Sequence, residues 1–167
     1  MKWIAISGSW RKTNKQVEDD VRCIIRQIVA NGDGVVTGGA LGVDYFATDE
    51  ILKYDAHAKR IKVYLPTTLE IYSAHYRKRA GEGVITINQA DALIEQLNAL
   101  KLANPNALIE GHFTEVTQEI YYERDQWVID AADELLAFHV NNSRGVEDTT
   151  ERARKKGIPI KALVYSI

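Results

Sequence analysis

The chain has 167 residues, 46% hydrophobic and 26% charged, with a net charge of -2 at pH 7. That balance excludes an intrinsically disordered segment and suffices for one domain over 1–167 with a sizeable core. The small negative charge argues against attraction of the whole surface to nucleic acid or anionic membrane, leaving any such contact to a local basic patch.

The N-terminal MKWIAISGSW holds an apolar run too short for a signal peptide, and Trp3-Ile4-Ala5-Ile6 reads as a buried strand ending at Ser7-Gly8-Ser9. Val17, Val21, Ile24, Ile25, Ile28 and Val29 recur at helical spacing and predict a helix over about 15–30, stopped by Asn31-Gly32. Cys23 lies in that stretch and is expected to be a buried thiol in a reducing cytoplasm. Gly34 to Thr37 is a second strand, Tyr45 to about Tyr54 a second helix, and Ile61 to Leu65 a third strand closed by Pro66. This alternation predicts a Rossmann-like α/β fold: an open parallel sheet with right-handed crossovers and helices on both faces.

Residues 66–88 read as loop, with a charged knot at His75-Tyr76-Arg77-Lys78-Arg79 that is either a solvated face or a contact for a phosphate chain or an acidic partner surface. Ala90, Leu93, Ile94, Leu97 and Leu100 give a helix broken at Asn104-Pro105-Asn106, and 107–116 read as a surface connection. A helix through Ile120 and Trp127, a strand Glu134–Phe138, a loop at 141–145, a helix Val146–Lys156 and a strand Ile158–Val164 complete the chain. No apolar run approaches the roughly 20 residues that cross a bilayer, so no membrane partner is expected. The histidines at 57, 75, 112 and 139 share no ligand spacing, so no metal site is expected.

Three turns fall at the carboxyl ends of predicted parallel strands, where open α/β sheets bind ligands. The first offers Ser7, Gly8, Ser9 and Arg11; the second Thr37, Gly38, Gly39, Ala40 and Gly42; the third Asn142, Ser143, Gly145 and Val146. Each leads toward a helix whose first amides lack internal partners and, with the helix dipole, attract phosphate or carboxylate. The hydroxyls and Arg11 would add donors. The spacing is neither the dinucleotide fingerprint nor a P-loop. Asp44 at the start of the second helix either caps it or contacts a ribose. Trp10 either stacks on a base or packs against a neighbouring loop, while Tyr121, Tyr122 and Trp127 fit a core stripe.

Ala5-Ile6-Ser7-Gly8-Ser9, Thr37-Gly38-Gly39-Ala40-Leu41-Gly42-Val43-Asp44 and the stretch from Asn142 to Pro159 together resemble the SLOG superfamily, which unites DNA-processing protein A with the Lonely Guy nucleotide proteins. Thr37 stands where the DNA-processing signature has serine, and Val146 where its third turn has threonine. The resemblance implies glycine-rich turns holding a nucleotide or nucleotide-derived ligand, or single-stranded DNA, with no cofactor required beyond a bound nucleotide or phosphate, and a homodimer. The Lonely Guy branch hydrolyses the N-glycosidic bond of nucleoside monophosphates with an arginine and a glutamate. Arg124 stands at the arginine's place, as a candidate catalytic residue, but Thr149 occupies the glutamate's, and a hydroxyl cannot replace a carboxylate in that chemistry. Binding is therefore the expected function, with the phosphoribohydrolase and single-stranded DNA readings as alternatives.

Overall fold

A computed structural model describes residues 1–167. The short apolar runs form six strands, β1 (Trp3–Gly8), β2 (Gly34–Thr37), β3 (Ile61–Tyr64), β4 (Leu108–Ile109), β5 (Glu134–Val140) and β6 (Ile160–Tyr165). They pair in parallel in the order β4-β3-β2-β1-β5-β6. The chain builds outward from β1 to β4, then returns to place β5 on the other side of β1. That reversal puts the topological switch point between β1 and β5.

Alternation along the strands divides the core. Ile4, Ile6, Val35, Leu136 and Phe138 face one side, under α1 (Lys15–Ala30), α2 (Val43–Tyr54), α3 (Leu69–Gly81) and α4 (Ile87–Ala103). Ala5, Val36, Leu135 and Ala137 face the other, under α5 (Gln118–Asp130) and α6 (Arg144–Lys156). Caps set several helix starts: Asn14 accepts from the Val17 amide at 3.0 Å, and Thr86 with Gln89 forms a reciprocal capping box opening α4.

Two elements lie where the sequence reads as irregular. α3 occupies part of the 66–88 stretch because Leu69, Tyr72, Ser73 and Tyr76 bury one face at helical spacing behind a Thr68 cap. Its stripe is made of tyrosine and serine instead of aliphatic residues, which hides it from a hydropathy count. The two-residue β4 falls within 107–116 and exists through pairing, Val63 with Leu108 and Tyr64 with Ile109. Cys23, expected buried, is exposed. The inward face of α1 is carried by Val17, Val21, Ile25 and Ile28, and Cys23 falls outside that stripe. No helix is long and apolar enough to cross a membrane.

Candidate functional site

The turns after β1, β2 and β5 come together at the carboxyl edge of the sheet, as expected. The glycines serve chiefly to bring them there. Gly42 has φ of +70°, and a Cβ on it would run into the Ser9 carbonyl and the Trp10 backbone. The neighbouring Val43 amide donates to the Ser9 carbonyl at 3.0 Å, so the β1 and β2 turns are locked together. At Gly38 a Cβ would overlap the guanidinium of Arg124, which donates to the Gly38 carbonyl. Gly39 packs against Val63 and Leu65.

This packing corrects the expected phosphate role of the second turn. The Gly38 and Ala40 amides donate to Asp44 Oδ2 at 3.1 and 3.3 Å, and the Gly39 amide to Thr37 Oγ1 at 3.3 Å. Those donors are already engaged within the fold. The β2 turn is pinned by these three bonds, and the β1 turn and the first turn of α6 offer donors across the switch point.

Between these elements opens a cleft of 530 Å³. Its floor is Arg124, 6% exposed, held by the Gly38 carbonyl and by Asp125 Oδ1, 3.0 Å from Nε. Burial disfavours the charged guanidinium, but Asp125, Tyr72 and Asp44 outweigh it, so Arg124 stays a permanent cation. Asp44, 7% exposed, is pushed up to about 6 by burial, against the pull of Arg124 and its two amide hydrogen bonds. Burial also raises Asp125, again opposed by Arg124. Tyr72 donates to the Gly39 carbonyl at 2.9 Å and backs the floor.

One wall is polar. Ser7, Gly8 and Ser9 from the β1 turn face Ser143, Arg144 and Gly145 from the start of α6. Ser143 makes no side-chain cap, so the first amides of α6 depend on an external partner, with the positive end of the helix dipole behind them. The opposite wall is aromatic. Tyr76 stands edge-on to Trp10 at 6.4 Å, and Tyr121 lies under the Arg124 guanidinium at 5.4 Å. His75 and Arg79 complete this side, and burial with Arg79 and Lys78 lowers the His75 pKa. Three arginines line the cleft, and one of the two aspartates there is paired with Arg124. The cleft therefore favours negative charge although the chain as a whole is acidic.

Of the sixteen candidate site residues (those at the turns, Arg124 and Thr149), ten line the cleft: Ser7, Gly8, Ser9, Gly38, Ala40, Asp44, Arg124, Ser143, Gly145 and Thr149. Trp10 does too, as do Tyr121 and Tyr122, which fitted a core stripe in the sequence but face the cleft half-buried. The other six candidates do not. Arg11 is exposed, with its guanidinium 5.4 Å from the Trp10 ring centre, and Asn142 is exposed in the left-handed region at φ 55°. Thr37, Gly39 and Gly42 are used in packing the turns, and Val146 is buried among Ala5, Val128 and Ala153. Sequence reading missed the α3 side of the cleft. Arg77 and Lys78 of the charged knot are exposed as expected, but His75, Tyr76 and Arg79 turn inward, a grouping that helical spacing from Tyr72 would reveal. Arg124 pairs with its neighbour Asp125, and the pair sits in the cleft floor.

No protein-family profile and no curated protein matches the sequence. Solved structures do. DNA processing protein A from Helicobacter pylori, which has a single-stranded DNA binding mode, superposes with a TM-score of 0.68 at 20% identity over 96% of this chain. DNA processing protein A from Streptococcus pneumoniae gives 0.65 at 18% over 99% of this chain. A molybdenum cofactor binding protein from the phototrophic bacterium Rippkaea orientalis gives 0.61 at 16% over 98% of this chain and 77% of its own. The chain spans only 64% and 51% of the two DNA processing proteins it matches. These likenesses establish a Rossmann-like α/β fold shared with those proteins.

Proposed function

We propose that the cleft binds a nucleotide or nucleotide-derived anion. The observation that carries this reading is the opposition of the β1 turn and the uncapped first turn of α6 above the buried Arg124. An anion there would receive main-chain donors and the helix dipole, and the aromatic wall of Trp10, Tyr76 and Tyr121 suits a base. The neighbours' binding of single-stranded DNA or a cofactor supports a ligand of this chemistry.

Hydrolysis is less well supported. Thr149 is 3% exposed and its hydroxyl donates to the Gly145 carbonyl at 3.0 Å. Glu147 and Glu151 are exposed and pair with Arg154 at 3.4 and 3.1 Å, away from the cleft. The unpaired cysteine fits a reducing compartment such as the cytoplasm.

Thermal unfolding with inorganic phosphate, a panel of mononucleotides and a short single-stranded oligonucleotide tests the proposal. A mononucleotide at a hundredfold excess over its Kd adds about 2.7 kcal/mol, a rise of about 5–10 °C for a chain of this size. A flat response to every member of the panel refutes it. A shift with the oligonucleotide alone, weakening steeply with salt, moves the assignment to single-stranded DNA.

A further inference from the structure

The floor of the cleft carries a feature that anion binding leaves unused. Asp44 accepts both of its amide hydrogen bonds through Oδ2, and Asp125 meets Arg124 through Oδ1. Each carboxyl thus keeps a second oxygen to which no donor of the chain is bonded. These oxygens are not sealed in. Thr48 Oγ1 is the single side-chain polar atom shut away from solvent without a partner, so the free oxygens of Asp44 and Asp125 open onto the cleft that both residues line. A side chain 7% exposed that keeps an open acceptor is costly unless something completes it.

The chemistry of that partner is constrained. Arg124 is bonded to Asp125 and its field reaches Asp44, and no cluster of three His, Cys, Asp or Glu side chains gathers there to hold a metal ion. A neutral hydrogen-bond donor remains. Tyr121 lies one helical turn before Asp125 on α5, so a ring laid on the aromatic wall leaves its adjoining sugar over the two aspartates.

Resting on the nucleotide reading above, we infer that Asp44 and Asp125 select a ribose, accepting hydrogen bonds from its 2′ and 3′ hydroxyls, so that the cleft takes ribonucleotides in preference to deoxyribonucleotides. The anion sits on the β1 turn and the first turn of α6, and the sugar sits over the floor. A site whose buried acceptors are completed by a hydroxyl rejects the analogue that lacks it.

Calorimetric titration of the intact chain with adenosine and guanosine 5′-monophosphates and with their 2′-deoxy and 3′-deoxy counterparts tests the inference. The expected result is about tenfold to hundredfold tighter binding of at least one ribonucleotide than of its deoxy forms. Asp125→Asn should narrow that ratio to within about threefold, since its amide donates where the carboxylate accepted. A variant that merely loosens the fold lowers both affinities and keeps the ratio, which contradicts a selecting role for Asp125. Equal affinities of the wild-type chain for ribose and deoxyribose forms overturn the inference while the nucleotide reading stands. Absence of binding by every mononucleotide removes both.

Discussion

Two buried carboxylates lie six positions apart on α2 and behave oppositely. Glu50, 2% exposed, is met by three cations: Arg26 on Oε1 at 2.9 Å, and Arg22 and Lys53 on Oε2 at 3.1 and 2.9 Å. Burial pushes its pKa up, but these hydrogen bonds prevail and hold it at about 2. Asp44 also feels burial most strongly. It has only two amides on one oxygen and shares Arg124 with Asp125, so it stays raised at about 6. The α1–α2 cluster is electrostatically closed and joins two helices; the cleft floor keeps a carboxyl with a raised pKa and one oxygen without a donor, a pattern concentrated at functional sites.

The strongest way to break this contrast is to remove the cation the floor depends on. Arg124→Met leaves the part-buried Asp125 without its ion-pair partner and the buried Asp44 without the nearby positive charge, and should cost about 3–5 kcal/mol in urea denaturation, with nucleotide binding lost. A loss below about 1 kcal/mol would mean the floor is solvated after all.

Next comes the pH dependence, where the two carboxylates should pull in opposite directions. Asp44 has a folded pKa of about 6 against 3.8 unfolded, so its protonated form favours folding and stability falls as pH rises from about 4 to 6. Comparing the wild type with Asp44→Asn across that window should isolate an effect of about 3 kcal/mol. Glu50 works in the other sense: its contribution is present above 4.5 and is lost as pH falls toward about 2. A stability curve of Asp44→Asn parallel to the wild type between pH 4 and 6 would remove the contrast.

Glu50→Gln should then cost about 2 kcal/mol near neutral pH while leaving nucleotide affinity unchanged, because its cations are partly solvated and lie away from the cleft. Smallest of all, Cys23→Ser should change stability by less than about 0.5 kcal/mol, as befits an exposed position.

The same contrast marks what could be read from the chain. The alternation of short apolar runs with helical stripes gave the parallel sheet, and strand ends followed by Gly-rich turns located its working edge. Ser7 to Ser9, Ser143 and Gly145 were therefore legible as cleft residues. The purpose of Gly38 was not. Its amide is consumed by Asp44 and its missing side chain makes room for Arg124, a residue 86 positions away, and no local pattern encodes that meeting. Trp10 stood out beside Gly8-Ser9, but the α3 part of the aromatic wall was hidden for a related reason. Tyr72, Tyr76 and Arg79 form one inward helical face, but their polar character makes the stretch look solvated to any count of hydrophobicity. Asp125 carries no motif of its own, and only the fold sets it beside Arg124 in the cleft floor.

A crystal structure with adenosine 5′-monophosphate soaked into the cleft tests the central claim most directly. The account predicts its phosphate against Ser9 and the first amides of α6, and its ribose hydroxyls on Asp44 and Asp125. A phosphate bound elsewhere on the surface, with the space above Arg124 left to solvent, would contradict it.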